Sequence, residues 1–170
     1  IRAAELNIQF ETIARSGETP IPGGVGTFTG FGDKPAIDAD GNVVFSATGG
    51  STANASFQSG VYTAIGPCCQ RVAERTTLVP GGGGLTFDVF RGADHHDIDG
   101  GRVAFLADIS ASGTQLGVYG NVGQASAGTL VEVALSDGVD WSSVADPWVD
   151  GGVVALRGRQ VVPAEDTILV

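Results

Sequence analysis

The chain has no methionine, one lysine (Lys34), two histidines and one adjacent cysteine pair, Cys68-Cys69. Each scarcity excludes something. Two cysteines without CxxC spacing or further cysteines give no zinc site. Nine basic residues against nineteen acidic ones leave a formal charge of -10. That field repels phosphate backbones and anionic lipid, so nucleic acid is not an expected partner. No run approaches the roughly 18 apolar residues of a membrane span, and membrane insertion is not expected either. There is no 3.6-residue apolar stripe of helical length. No GxSxG elbow, HExxH or P-loop occurs, and Gly81 to Gly84 precede a strand rather than a helix N-terminus that would hold phosphate. The lack of methionine is expected of a processed chain or a piece of a longer one, with any signal peptide already removed.

What is present points to an all-β fold. Apolar residues make up 42% of the chain and charged residues only 16%, which gives enough material for a core. Twenty-seven glycines punctuate short runs that alternate with period two. The stretch Pro35 to Ala47, PAIDADGNVVFSA, returns as HDIDGGRVAFLA (His96 to Ala107) and as PWVDGGVVAL (Pro147 to Leu156). Ile37/Ile98/Val149, Asp38/Asp99/Asp150 and Phe45/Phe105/Leu156 therefore hold matching places. Gly60-Val61-Tyr62 returns as Gly117-Val118-Tyr119, and Ile13-Ala14 as Val72-Ala73 and Val133-Ala134.

A unit of about 60 residues holding four short strands is the pattern of stacked small sheets. The expected strands of the first unit are Gly32 to Asp38, Asn42 to Ala47, Gly60 to Ile65 and Gln70 to Arg75. Those of the second are Val89 to Ile98, Arg102 to Ala107, Leu116 to Asn121 and Thr129 to Leu135. The third runs from Asp140 to Asp150, through Val153 to Arg157, and ends at Thr167 to Val170, one strand short. The chain is thus expected to be one domain, residues 1–170, with units at roughly 16–75, 76–135 and 136–170, plus a lone strand, Ile8 to Arg15.

The PAIDADGNVVFSA stretch, its GVYT partner and the VPGG loop resemble the blade repeats of bacterial extracellular β-propeller-like proteins, including cell-surface proteins with sorting signals. The Asp-Gly-Asn turn is similar to the blade turn of NHL-type propellers. The resemblance implies a β-propeller-like fold of about three four-stranded antiparallel blades and an extracellular or cell-surface location. It implies no activity, because such scaffolds host binders and enzymes alike.

Candidate sites are few. Asp38, Asp40 and Asn42 have the alternate-oxygen spacing of a calcium loop, so Ca²⁺ is a possible cofactor. A hairpin turn is the stronger reading, because Asp99-Gly100-Gly101 and Asp150-Gly151-Gly152 lose those ligands and no bidentate glutamate follows. Asp94, His95, His96 and Asp97 form the densest polar cluster, with Arg91 close by. On a strand Asp94 and His96 share one side, and His95 and Asp97 the other. In a propeller the innermost strands line the channel, so Arg91, Asp94, His95 and His96 are the expected ligand-binding residues. Self-satisfied surface side chains are the alternative. Cys68 and Cys69 are expected to form a vicinal disulfide if the protein is secreted, with free thiols as the alternative. The aromatics Phe28, Phe31, Phe87, Phe90, Trp141 and Trp148 are expected to pack between blades, with carbohydrate stacking the lesser use.

Three function classes remain open. A recognition module that binds a carbohydrate or protein ligand leads, since no catalytic constellation is visible. A hydrolase or lyase using His95, His96 and nearby acids is the second. The third is a structural subunit that assembles with itself. The lone N-terminal strand has fourth-strand character, FETIAR beside QRVAER and LVEVAL, while the third unit lacks its fourth strand. It is expected to fill the vacancy beside Thr167 to Val170, in its own chain or in a neighbour as a homodimer.

Overall fold

The structure is a computed structural model that describes residues 10–50, 58–66, 68–91, 95–109, 115–121, 129–138, 140–161 and 166–169. Its described residues hold strands and no helix, as the period-two alternation requires. The first sheet contains β1 (Phe28–Phe31), β2 (Ala36–Ile37), β3 (Val43–Gly49), β4 (Gln58–Ala64) and β5 (Gln70–Glu74). The second contains β6 (Phe87–Phe90), β7 (His96–Asp99), β8 (Arg102–Ile109), β9 (Leu116–Gly120) and β10 (Val131–Leu135). The third contains β11 (Trp141–Asp150), β12 (Val153–Gln160) and β13 (Asp166–Leu169), and all pairings are antiparallel.

The inner strand of each unit departs from the sequence expectation. β1 and β2 both pair with β3, and β6 and β7 both pair with β8, so a single strand position is broken in two. The expected run Gly32 to Asp38 instead starts earlier and breaks before Ala36, where Pro35 has no N–H to give a ladder. In the third unit β11 continues through the same place by a bulge between Ala145 and Trp148, around Pro147. The hairpins that follow are set by glycine. Asp99 pairs with Arg102 and Asp150 with Val153, leaving two-residue loops whose glycines all have positive φ, from 53° to 83°. Only glycine adopts two such residues in succession without strain.

The same four aromatic positions organise the first two sheets. Phe28 meets Tyr62 edge-on with ring centroids 4.9 Å apart at 78°, and Phe87 meets Tyr119 at 4.9 Å and 78°. Phe45 and Phe105 complete the clusters beside Phe31 and Phe90. The second quartet packs on the back of the first sheet, against Val44, Val61 and Ala73. The back of the second sheet, Leu106, Val118 and Ala134, packs in turn on Val144 and Leu156 of the third. The sheets thus stack face to face in chain order. No apolar cluster among the described residues joins the first sheet to the third.

The N-terminal expectation needs correction in its same-chain form. Ile8 and Gln9 lie outside the described residues, and Phe10 to Arg15 form no strand and do not pair with β13 of the same chain. The Arg15 amide is taken by Thr19 Oγ1 at 2.8 Å rather than by a neighbouring strand. Instead Ile13 and Ala14 lie on the aromatic face of the first sheet.

Each tyrosine ring folds back over the glycine two residues earlier on its strand. A Cβ at Gly117 would meet the Tyr119 ring at 2.6 Å and its hydroxyl at 2.5 Å. Burial, then the charge of Glu74, pushes the Tyr62 hydroxyl up to about 12, with Arg71 acting against them. Burial, then Glu132, raises that of Tyr119. Both rings are therefore locked neutral inside the stack. Gly117→Ala is expected to cost about 1–3 kcal/mol by overpacking. Urea unfolding that shows no loss for Gly117→Ala would refute this account of the Gly-Val-Tyr motif.

Candidate functional site: a polar cavity where three inner strands meet

Stacking the sheets brings the breaks in their inner strands to one place. A cavity of about 330 Å³ lies there, lined by Lys34, Pro35 and Ala36 of the first unit, His96 and Asp97 of the second, and Asp146, Pro147 and Trp148 of the third. These are the residues at which the inner strands break or bulge. A bulge turns side chains out of the pleat. Asp146 has φ 48°, a left-handed conformation that aspartate tolerates better than most residues. Its carboxylate lies 3.4 Å from His95 Nδ1 by one oxygen and 2.8 Å from an Arg157 Nη by the other. Asp97 accepts a hydrogen bond from the Val149 amide at 2.8 Å, which ties the second unit to the third at the cavity wall. His96 is buried in β7, and Trp148 is half-exposed at the rim.

Of the four expected binding residues, His95 and His96 stand at this site. Asp94 lies outside the described residues. Arg91 does not join them. Its guanidinium is held by Asp108 at 2.7 Å, because Arg91 follows directly on β6 and Asp108 lies on β8, the strand that β6 pairs with. Asp146 and Arg157 were not singled out from the sequence. The signal was there in Asp146-Pro147, a polar and ladder-breaking pair inside an alternating strand.

The repeated aspartates have a different task. Asp38 accepts the amides of Asp40 and Asn42 on one oxygen, and the Asn42 side chain on the other. That second oxygen also takes the Gly101 amide of the second unit at 3.2 Å. Asp99 likewise takes the Gly151 amide of the third unit at 2.9 Å. The turn aspartate of each of the first two units is thus a latch to the next turn. A cation at Asp38 would have to displace four N–H donors. Desolvation works to raise the Asp38 carboxyl, but its bonds from Asn42, Gly101 and Asp40 outweigh it and hold the group below the ordinary value of 3.8.

Cys68 and Cys69 lie between β4 and β5, sulfur paired to sulfur, with a cis peptide between them. The aromatic expectation divides: Phe28, Phe87 and Phe90 are buried between or within sheets, whereas Trp148 faces the cavity.

Fold and site define a class: an all-β protein of stacked repeat sheets with a cavity to which all three repeats contribute. Within that class, the chain belongs to a family of unknown function, DUF7453, matched over residues 3–157. No curated protein and no solved structure matches it.

Two measurements check this description. A folded-state carboxyl held low contributes stability above its unfolded value that is lost as pH falls through the folded one. Asp38→Asn should therefore melt below the wild type at pH 7, and the gap should close below about pH 4; a gap independent of pH would remove the latch role. Alkylation without reductant should leave the intact mass unchanged, whereas two labels after reduction and none before would mark the Cys68–Cys69 bond.

Proposed function

We propose that the chain is a recognition module of propeller-like architecture, secreted or cell-surface, whose cavity takes a neutral, hydroxyl-rich ligand of carbohydrate type. The observation that carries this reading is Trp148, 51% exposed beside two carboxylates in a cavity walled by all three units. An indole face offers a flat apolar platform with little entropy to lose, and Asp97 and Asp146 retain lone pairs for hydroxyl donors. The formal charge of -10 turns anionic ligands away. Face-to-face sheets with their inner strands on one side support the propeller-like architecture, as the blade resemblance implies.

The hydrolase or lyase alternative needs an acid and a base facing the ligand. Here His95 Nδ1 is turned toward Asp146 at 3.4 Å without a hydrogen bond, and His95 is not among the residues that line the cavity. An array of neutral oligosaccharides should give at least one ligand whose affinity falls at least tenfold in Trp148→Ala, as loss of a stacking platform predicts. Binding that survives this change would place the site elsewhere, and turnover of the bound sugar would favour the enzyme.

A further inference from the structure

The two ends of the stack are unlike each other, and each repeats a surface that is covered inside the stack. At one end is the aromatic face of the first sheet. Ile37 there is 68% exposed, although its counterparts Ile98 and Val149 are 3% and 6% exposed, covered by the preceding sheet. At the other end is the back of the third sheet. Register puts Ile168 opposite Arg157, as Val61 stands opposite Ser46 and Val118 opposite Leu106. Ile168 is 69% exposed, whereas Val61 and Val118 are 1% and 0%. The chain itself shows what covers each surface: the opposite face of another sheet of the same repeat.

The edges carry the same message. β5 and β10 fill the fourth place of the first two sheets, and among the described residues β13 has nothing on its outer edge. A fourth-strand segment without a sheet already lies at the other end. Arg15 N donates to Thr19 Oγ1 at 2.8 Å and Phe28 N to the Thr19 carbonyl at 3.0 Å. Glu74 N donates to Thr77 Oγ1 at 2.9 Å and Phe87 N to the Thr77 carbonyl at 3.3 Å. Phe10 to Arg15 thus stand before the first sheet as β5 stands before the second, and Ile13-Ala14 occupy the place of Val72-Ala73. Two further features fit. Among the described residues Asp150, the third turn aspartate, accepts no amide from another turn, unlike Asp38 and Asp99. Arg157 and Arg159 put positive charge on the back of the third sheet, and Glu11 lies on the segment that would approach it.

We propose that a second copy of this chain covers both ends. The aromatic face of one copy packs on the back of the other copy's third sheet, and Phe10 to Arg15 become that sheet's fourth strand. Applied twice, the junction closes a ring of six sheets, a size at which such stacks close without strain. No segment has to leave its place, because Phe10 to Arg15 already lie on the face that is to be covered.

Light scattering after size exclusion, run over a hundredfold range of concentration, tests this. The expected particle has twice the 17.2 kDa chain mass. Ile37→Glu and Ile168→Glu should each halve it while leaving the β-sheet circular dichroism unchanged, since both side chains are exposed in the single chain; Ile37→Leu should keep the pair. Hydrogen exchange at Phe10 to Arg15 should be slow in the wild type and fast in either glutamate variant. A single-chain mass at the highest concentration, an open ladder of masses, or a pair that both glutamate variants leave intact would overturn the proposal.

Discussion

Everything in this chain rests on one packing event: the back of one small sheet against the aromatic face of the next. A single four-stranded sheet with a core of one quartet cannot bury both faces, and a two-faced apolar sheet in water is not stable alone. Burying one aromatic side chain fully contributes about 1.5–3 kcal/mol, and edge-to-face pairs about 0.5–1.5 kcal/mol more. Phe87, Phe105 and Tyr119 gain this only because Val44, Val61 and Ala73 lie over them. The tyrosine hydroxyls show how strongly this packing dominates. Tyr62 and Tyr119 give up hydrogen bonding to protein partners among the described residues so that their rings can fill the stack.

The polar contacts follow from that packing. Once two sheets are stacked, the turn of one unit lies beside the turn of the next, and the amide of Gly101 or Gly151 would be left without an acceptor at the boundary. The turn aspartate supplies it, at 3.2 Å and 2.9 Å. A charge-assisted bond of this kind is modest in net energy, about 1.5–3 kcal/mol, but it fixes the stagger between neighbouring sheets. The stagger in turn places the strand breaks of three units around one cavity. The site is therefore a product of register between repeats, and no single repeat contains it.

This explains what the sequence could and could not disclose. The repeat, the all-β class and most strand positions were legible, because alternation and glycine turns act locally. The breaks at Pro35 and before His96 blurred the inner strands, since a strand carrying two short ladders still alternates. Asp38 and Asp99 were legible as turn residues, yet their bond to the next unit was not, because it joins positions 63 and 52 residues apart. His95 was noticed for its polarity, and its partner Asp146 was passed over. That pairing depends on a bulge, and bulges leave little mark in a sequence. Arg91 misled for the opposite reason: closeness in sequence to His95 counted for less than the ion pair it makes across to Asp108 of β8.

Repetition also separates the residues free to change from those that are not. At positions set by stacking, the first two units carry the same residue or a close one: Phe28 and Phe87, Phe45 and Phe105, Tyr62 and Tyr119, Val61 and Val118. At the cavity the three units diverge, with Lys34-Pro35-Ala36, His95-His96-Asp97 and Asp146-Pro147-Trp148 at corresponding places, and only the ladder-breaking Pro35 and Pro147 alike. Packing against an identical neighbour demands identical surfaces, so sameness marks the scaffold. A ligand that touches three units at once meets each from a different side and demands three different surfaces. The difference among the repeats at this one place, against their likeness elsewhere, is what a recognition site grafted onto a repetitive scaffold requires.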